Sequence, residues 1–411
     1  MKNTNKAFEV SVIILIILSL GLSLTGDTWK LFNNFSFILI HPSNLLVDYL
    51  AVAGFQATFF NAFILLLMNY GIVKISGSRV SGVVFAGLMT IYGFSFLGKN
   101  FLNTIPIYLG VYLYSKYKEQ NIRKSIIILL FGSGASPIVS VIAFGLGLPI
   151  HIGLIAGSLA GMIVGYILVP LASHAVIFHM GYSLYNVGFV IGLVAMTVNG
   201  LLRMFGLKVT ILNRVSTGYH NEMLFISLAI SLMLIVIGFS KKISITDYKS
   251  ILNRTGRAVT NFEARYGSNI TILNCGLLGL LGLVFVYALN IEMNGVIFAG
   301  IMTLIGFGAL GKHLKNATIV MIGYVLAVWI SVYSFESPVI AVGLFFVTGL
   351  APIAGRYGIV AGLFTGIIHL AVITLTTPLH GGMVLYNNGF ATGMTAMLIV
   401  VVISNIFKKE I

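Results

Sequence analysis

The chain has 411 residues, of which 58% are hydrophobic and only 8% are charged. Soluble domains carry about 25% charged residues, and a single globular core could not enclose this much apolar surface. The composition therefore excludes aqueous enzymes, secreted disulfide scaffolds and soluble nucleic-acid-binding proteins. It predicts an all-α, polytopic membrane protein. The single cysteine, Cys275, lies inside an apolar run and cannot form an intrachain disulfide.

Fourteen apolar segments are candidates for membrane-spanning helices, each of which needs about 20 residues. Several are short or rich in glycine, so the count can differ by one or two. We expect the N-terminal segment to be retained as the first span rather than cleaved as a signal peptide. The segments lie near residues 8–25, 51–73, 80–97, 100–116, 125–146, 150–172, 184–202, 223–239, 270–290, 295–311, 316–333, 337–355, 357–376 and 385–407.

The net charge of +14 is explained by membrane orientation. With the N-terminus in the cytoplasm, nineteen of the 24 Lys and Arg residues fall on the cytoplasmic side, as the positive-inside rule requires. The loop 203–222, with three basic residues on the opposite side, is the exception. This topology predicts a multi-pass protein of the cell (inner) membrane with both termini cytoplasmic. Its macromolecular environment is the lipid bilayer, and no nucleic-acid partner is needed.

An internal repeat is the strongest pattern in the chain. Residues 82–110 match residues 295–323 at an offset of 213, with fourteen of 29 positions identical. The sequence Gly-x-x-Pro recurs at 134–137 and 349–352, and a box with the pattern LYNxGF recurs after His179 and His380. These matches predict two seven-helix repeats, residues 1–206 and 223–411, joined by a linker at 207–222.

The odd number of helices in each repeat makes the second repeat enter the membrane in the opposite sense. The charges agree, because the loop after the second helix carries Lys74 and Arg79 whereas its counterpart carries only Glu292. Inverted repeats are the usual construction of secondary transporters. The sequence thus predicts a transporter that moves a small polar or anionic solute by alternating access, and not an enzyme.

The first candidate site is a Gly/Pro interruption in the middle of a span of each repeat. Proline removes a backbone donor and breaks or kinks the helix, and transporters often bind their solute at such breaks. We expect freed backbone groups to face the solute here, although a simple packing kink is the alternative. The residues are Ser133, Gly134, Ser136 and Pro137 in the first repeat and Thr348, Gly349 and Pro352 in the second.

The LYNxGF boxes form the second candidate site and are expected to be loops or re-entrant segments. Their side-chain amides suit an uncharged polar ligand. The alternatives are that Asn caps the following helix and Tyr marks the membrane interface, with His179 and His380 also in interfacial capping roles. The candidate residues are Tyr185, Asn186, Tyr386 and Asn387.

Two further pairs of polar residues are related by the repeat. Asn61 and Asn274 lie within apolar spans and face either a cavity or an interhelical hydrogen bond. Lys99 and Lys312 follow glycines at short turns, and they either snorkel to the interface or attract an anion. Glycines four residues apart, at 157–165 and 358–366, predict close helix packing.

The sequence contains no P-loop, CxxC, HExxH or GxSxG context, so we predict no catalytic residues, metal or cofactor. The LYNxGF boxes and the GVxFAGxMTxxGFxxLGK segments resemble a family of bacterial and archaeal multi-pass membrane proteins catalogued as a domain of unknown function. The arrangement is similar to that of seven-plus-seven inverted-repeat transporters of nucleobases and anions, without their binding motifs. A homo-oligomer is compatible with this arrangement. A channel-like facilitator for a small neutral solute and a membrane-embedded enzyme using His179, His380 and Tyr185 remain alternatives.

Overall fold

The computed structural model describes residues 6–406, which are helical and contain no β-strand. Within this range nine helices are long and apolar enough to span a membrane, when Ile126–Gly145 and Pro338–Tyr357, which contain breaks, are each counted as one helix. The number is ten if the bent pair α1–α2 is one span. The prediction of an all-α polytopic membrane protein is confirmed. The first-half helices are α1 (Ala7–Ser23), α2 (Thr28–Ile40), α3 (Tyr49–Ile75), α4 (Gly82–Phe94), α5 (Phe101–Tyr117), α6 (Ile126–Gly132), α7 (Ser136–Ser140), α8 (Ile150–His179) and α9 (Asn186–Met204).

The second half begins with α10, whose first residue is separated from that of α1 by the repeat offset of 213. The predicted cytoplasmic ends of the chain include residues 1–5 and 407–411, which lie outside the described residues. The helices are α10 (His220–Phe239), α11 (Ile245–Leu252), α12 (Phe262–Tyr266), α13 (Ser268–Ala288), α14 (Gly295–Phe307), α15 (Leu314–Trp329), α16 (Pro338–Phe346), α17 (Ala351–Tyr357), α18 (Ile359–Leu379) and α19 (Asn387–Ile406).

Each of the fourteen predicted apolar segments contains a helix, but several of these helices are too short to cross a bilayer alone. The helices α4 and α14 have 13 residues each, which corresponds to about 20 Å, against a hydrocarbon thickness of about 30 Å. Hydropathy measures the length of an apolar run and does not locate the break inside it. For this reason the count of fourteen exceeds the number of long helices.

Several equivalent helices of the two halves have matching boundaries, and they share an irregularity, although α8 with 30 residues is longer than α18 with 21. The helix α3 corresponds to α12 and α13 together, because the offset of 213 relates both their first and their last residues. Gly54 and Gly267 interrupt these segments at equivalent positions, with φ of 78° and 86°. Only glycine adopts such angles without strain. The sequence analysis did not predict the short helices α2, α11 and α12, which follow or precede the apolar runs.

The centre of the molecule is the crossing of α4 and α14. A Cβ atom on Gly93 would lie 2.8 Å from the Cα of Ala299, and one on Gly306 would lie 2.8 Å from the Cβ of Met89. Small residues at these positions allow the two backbones to approach closely. Gly161 and Gly165 likewise bring α8 close to α5, and Gly362 and Gly366 bring α18 close to α15. The predicted packing role is confirmed for these glycines and for Gly157, which packs on α7 and the residues after it, but not for Gly358, whose Cβ would meet nothing within 4 Å.

Candidate functional site

Both predicted helix interruptions are present. The helix α6 ends at Gly132, a tight 3₁₀ turn covers Ser133–Ala135, and α7 begins with Pro137 in its first turn. The helix α16 is followed by a similar turn at Val347–Leu350, and Pro352 lies in the first turn of α17. Backbone N–H groups in the first turn of a helix have no partner within that helix, so a proline at this position loses no helical hydrogen bond.

The carbonyl groups freed by these turns are used within the protein. Gly134 accepts a backbone hydrogen bond from Leu385 at 3.0 Å, and Gly349 accepts one from Leu184 at 3.0 Å. These two carbonyls therefore do not face a solute, contrary to the sequence-based expectation. Each LYNxGF box packs on the broken helix of the other half, so the two halves are interlocked.

The hydroxyl groups at the breaks also have partners within the protein. Ser136 donates to the carbonyl of Ser133 at 2.6 Å and lies 3.2 Å from the hydroxyl of Thr104. Thr348 donates to the carbonyl of Phe345. The hydroxyl of Ser133 is fully buried, donates to the carbonyl of Leu130 at 2.5 Å and accepts a hydrogen bond from the buried Lys99.

The two lysines of the repeat lie next to these breaks, and both are fully buried. Lys99 donates from Nζ to Oγ of Ser133 at 2.6 Å, and Lys312 donates from Nζ to the phenol oxygen of Tyr185 at 2.6 Å. The expectation that they snorkel to an interface is therefore wrong for both side chains. We name the two groups the Lys99 cluster (Phe94, Lys99, Ser133, Tyr386) and the Lys312 cluster (Tyr185, Phe307, Lys312, Thr348).

Neither cluster contains an acidic side chain. Ion pairs of the described residues lie elsewhere, where Lys74 pairs with Glu9, Arg79 with Glu263 and, when the histidine is protonated, His220 with Glu292. A buried ammonium without a carboxylate is strongly destabilised unless something else compensates its charge. Each of these lysines therefore either is neutral or has its charge compensated by a group that is not an acidic side chain of its cluster.

Aromatic rings enclose both lysines. Tyr386 packs edge-on against Phe94 with ring centroids 4.8 Å apart, and Tyr185 packs against Phe307 in the same way at 4.7 Å. The broken helices contribute one further phenylalanine to each set. The frame therefore consists of six side chains, Phe94, Phe131, Tyr185, Phe307, Phe346 and Tyr386.

Asn61 and Asn274 hold the ends of the two central helices. The amide nitrogen of Asn61 donates to the carbonyls of Ser95 and Lys99, at 2.7 and 2.8 Å. Asn274 donates to the carbonyls of Gly308 and Lys312, both at 2.8 Å. The amide oxygens of both asparagines are buried without a partner among the described atoms. The predicted interhelical bond is thus present, and one acceptor beside each lysine stays open.

The LYNxGF boxes are buried rather than interfacial. Tyr185 and Tyr386 are at most 2% exposed, and His179 and His380 are fully buried. The helices α9 and α19 begin at Asn186 and Asn387 themselves, so Asn186 is not the residue that caps its helix. The predicted interfacial roles of the tyrosines and histidines are therefore wrong.

The two box asparagines are in different environments. Asn387 accepts hydrogen bonds from Thr376 at 2.7 Å and from Nε2 of His380 at 2.8 Å. The side-chain oxygen of Asn186 is buried without a partner among the described atoms. Asn186 is also among the residues that line the larger cavity, whereas Asn387 lines the smaller one.

Two equivalent loops cover the lysine clusters, and we name them the first plug loop (residues 41–48) and the second plug loop (residues 254–261). The first is held by Leu45, whose N–H donates to Gly382, and the second by Ala258, whose N–H donates to Gly181, at 2.8 and 2.9 Å. The sequence analysis did not identify either loop as part of the site.

A cavity lies beneath each plug loop, and the two differ in size. The cavity at the second plug loop has a volume of about 180 Å³, and the one at the first has about 20 Å³. The larger cavity is lined by residues that include Phe131, Tyr185, Asn186, Phe307, Tyr386 and the second plug loop. The smaller one is lined by residues that include Leu45, Leu46, Phe94, Phe346 and Asn387.

Two carboxylates tie the halves together near the plug loops. Asp48, at the start of α3, accepts a hydrogen bond from the N–H of Gly295, the first residue of α14, at 3.0 Å. Glu263 accepts one from the N–H of Gly82, the first residue of α4, at 2.7 Å. Each acid of one half thus neutralises the helix N-terminus of the other. Burial raises the pKa of the Asp48 carboxyl to about 6, against the opposing effect of its three backbone N–H donors.

Sequence reasoning found both lysines, both breaks and both boxes, but it missed the surrounding groups. The phenylalanines Phe94 and Phe307 were visible as an identical pair of the repeat, but an apolar residue in an apolar span carries no functional signal. Asp48 corresponds to Asn261 and Glu263 to Leu50 at the offset of 213. The two carboxylates therefore occupy non-equivalent positions in the repeat, and no self-comparison could have paired them.

Comparison with known proteins assigns the family. No curated protein and no solved structure matches the chain. The chain matches the family described as "Protein of unknown function (DUF1576)" over residues 27–204 and 240–405. These two ranges begin at positions separated by the repeat offset of 213 and together contain every residue of the two lysine clusters. The protein therefore belongs to the DUF1576 family of unknown function.

Proposed function

We propose that the protein is a secondary transporter that moves a small polar or anionic solute across the cell membrane by alternating access. The proposal gives the chain an inverted-repeat architecture, with two units of seven helices related by an axis in the membrane plane. The recurrence of broken helices, boxes and lysines at constant offsets supports this architecture, since transporters of this type place their site on discontinuous helices of both repeats.

One observation carries the proposal, namely that equivalent parts of the two halves differ in exposure and in the space beneath them. Leu46 of the first plug loop is 4% exposed, whereas its counterpart Val259 in the second is 88% exposed. The cavities beneath them differ in the same direction. In an inverted repeat, exchanging the conformations of the halves turns a protein that is open to one side into one that is open to the other.

The distribution of basic residues indicates which side of the membrane the larger cavity faces. The positive-inside rule puts the basic loop 240–267, which contains the second plug loop, in the cytoplasm. The larger cavity then opens toward the cytoplasm, and the buried first plug loop closes the outer side. This orientation also places both termini in the cytoplasm.

The test is solute exchange in proteoliposomes. Vesicles loaded with an unlabelled solute are diluted into the same labelled solute, with sodium propionate, sodium phosphate, alanine and urea tried in turn. A transporter gives saturable uptake with a transient overshoot, because one protein conformation carries solute in each direction. Conductive flux without saturation would identify a channel-like facilitator, and absence of flux for every small solute would refute transport. Chemical conversion of a solute without flux would identify an enzyme.

A further inference from the structure

We infer that the cavity beneath the second plug loop binds a small neutral molecule that has one planar ring and one hydrogen-bonding substituent. This inference rests on the proposed function only in making that molecule the transported solute, and binding can be measured without transport. It narrows the solute to one uncharged chemical class.

The first step concerns the charge of the ligand. None of the fourteen described residues that line this cavity is acidic or basic. Lys312, which donates to the phenol of Tyr185, is fully buried and is not among them. A charged ligand would lose its water here without an opposite charge in the lining, which is strongly unfavourable. The lining therefore selects an uncharged ligand.

The second step concerns size and shape. The cavity has a volume of about 180 Å³, and an apolar cavity of about 150 Å³ is enough to hold one benzene molecule. Four of the lining residues are aromatic, namely Phe131, Tyr185, Phe307 and Tyr386. The ring centroids of Tyr185 and Phe307 lie 4.7 Å apart, and those of Phe131 and Phe307 lie 5.5 Å apart. Aromatic rings attract one another in offset-stacked and edge-on contacts, so a planar ring suits these walls better than a flexible chain does.

The third step concerns hydrogen bonding. Two polar side chains of the lining have partners within the protein, because the hydroxyl of Thr260 donates to the carbonyl of Arg257 and the phenol of Tyr185 accepts from Lys312. The side-chain oxygen of Asn186, which also lines the cavity, has no partner among the described atoms. An amide can both donate and accept, and no bond to that oxygen holds this one in place. The amide can therefore turn toward a hydroxyl or amide group of a ligand.

The fourth step concerns the repeat, because the smaller cavity is lined by counterparts of the residues that line the larger one. None of its described lining residues is acidic or basic either. The two cavities are thus copies of one uncharged site, which a chance gap in packing would not produce in both halves. The equivalent lining residues include Val83 and Val296, Phe307 and Phe94, and Asn186 and Asn387.

The plug loops provide a reason why only one copy is open. Leu45 and Leu46 of the first plug loop stand at the positions of Ala258 and Val259 in the second. Both leucines are at most 5% exposed and line the smaller cavity, whose volume of about 20 Å³ is close to the space of one water. The smaller side chain of Ala258 leaves room that Leu45 fills in the other copy.

The experiment is equilibrium dialysis of radiolabelled phenol against the purified full-length protein at neutral pH, where phenol is uncharged. Both compartments contain the same concentration of detergent micelles, so that partition of phenol into detergent cancels. We expect a saturable excess of phenol on the protein side. Benzamide should displace it, whereas the charged isostere benzoate and the non-planar alcohol cyclohexanol should each be weaker by at least about tenfold.

Variants of the lining locate the binding site. Ala258→Leu gives the second plug loop the residue of the first and should weaken phenol binding by at least about tenfold, because the added side chain overfills the cavity. Ala258→Ser adds little volume and is the matched control, which should bind phenol as the unchanged protein does. Asn186→Leu should weaken binding by about three- to tenfold, as the loss of one hydrogen bond does, and it replaces Ala258→Leu if that variant does not fold.

Each other outcome overturns a defined part of the inference. Displacement by benzoate as strong as that by benzamide refutes the neutral class, and equal displacement by cyclohexanol refutes recognition of a planar ring. Unchanged binding in a folded Ala258→Leu variant refutes the location, and absence of any saturable excess of phenol refutes the whole inference. Phenol binding without exchange of any solute in vesicles would uphold this inference and refute transport, whereas exchange of alanine or urea without phenol binding would do the reverse.

Discussion

The Lys99 and Lys312 clusters have the same parts in different arrangements. In the first, the lysine donates to the broken helix of its own half through Ser133. In the second, the lysine donates to Tyr185, which belongs to the box of the opposite half. The first cluster lies under a largely buried plug loop, and the second lies under a plug loop that is mostly half-buried, with Val259 exposed. Duplicated sequence therefore defines the groups of the site, and packing defines which partner each lysine selects.

The difference between the plug loops has an identifiable cause. The segment that connects the halves covers only the first plug loop, where Arg214 exchanges backbone hydrogen bonds with Leu46 and Asp48, at 3.0 and 2.8 Å. Among the described residues, the second plug loop has no such cover. A single segment connects the two halves and covers only one of the two plug loops, so the surroundings of these loops cannot be identical.

Cysteine labelling should give the largest difference between the halves. The native Cys275 is fully buried, so a single introduced cysteine reports its own position. Val259→Cys should react quickly with a soluble maleimide, and Leu46→Cys should react far more slowly, because burial in a stable structure limits access to the thiol. Equal rates would show that the two plug loops do not differ in solution.

Solute exchange tests whether both clusters take part in turn. Lys99→Gln and Lys312→Gln should each reduce exchange by about ten- to hundredfold, because each removes a charge-assisted hydrogen bond of a buried ammonium. Lys315→Gln is the matched control, since Lys315 is exposed next to the second cluster and should retain full exchange. Loss in only one of the two buried-lysine variants would show that the clusters are not used alternately.

The interlocking of the halves is tested with Gly134→Ala and Gly349→Ala. A Cβ atom at these positions would overlap the rings of Tyr386 and Tyr185, respectively. We expect each variant to lose about 1–3 kcal/mol of unfolding free energy, as overpacked cores do, measured by unfolding in detergent. Gly200→Ala in α9 is the control because its Cβ would meet nothing within 4 Å. Destabilisation of that control by the same amount would refute the packing argument.

The smallest predicted difference is in the unfolding free energy lost when either of the two carboxylates that bond to the opposite half, Asp48 or Glu263, is replaced by its amide. Asp48 accepts hydrogen bonds from three backbone N–H groups, those of Leu50, Ser216 and Gly295. An asparagine here would turn its amide NH₂ group toward at least one of these buried N–H groups, so Asp48→Asn should cost about 1–3 kcal/mol of unfolding free energy. Glu263→Gln can keep its bond to Gly82 through the amide oxygen and should cost less than about 1 kcal/mol. Chemical unfolding in detergent measures both, and a larger loss in Glu263→Gln would contradict the assigned roles.

Much of the site was predictable because function and duplication left the same residues in both halves. Lys99, Lys312, the boxes and the proline breaks all recur at constant spacing, and a lysine or proline in an apolar span is conspicuous. The partners of these residues were not predictable. The pairing of Gly134 with Leu385, or of Lys312 with Tyr185, joins residues more than a hundred positions apart, and no local pattern encodes such a contact.

The amino-acid sequence by itself determined the class of the protein and its internal repeat and predicted an orientation, because hydropathy, self-similarity and the distribution of basic residues are properties of the chain. The tertiary structure decided where the apolar runs break into short helices, which box docks on which break, and which lysine lies beside an open cavity. These features depend on how two similar halves pack against each other. Two copies of the same groups can differ in exposure and in their hydrogen-bond partners only when their surroundings differ.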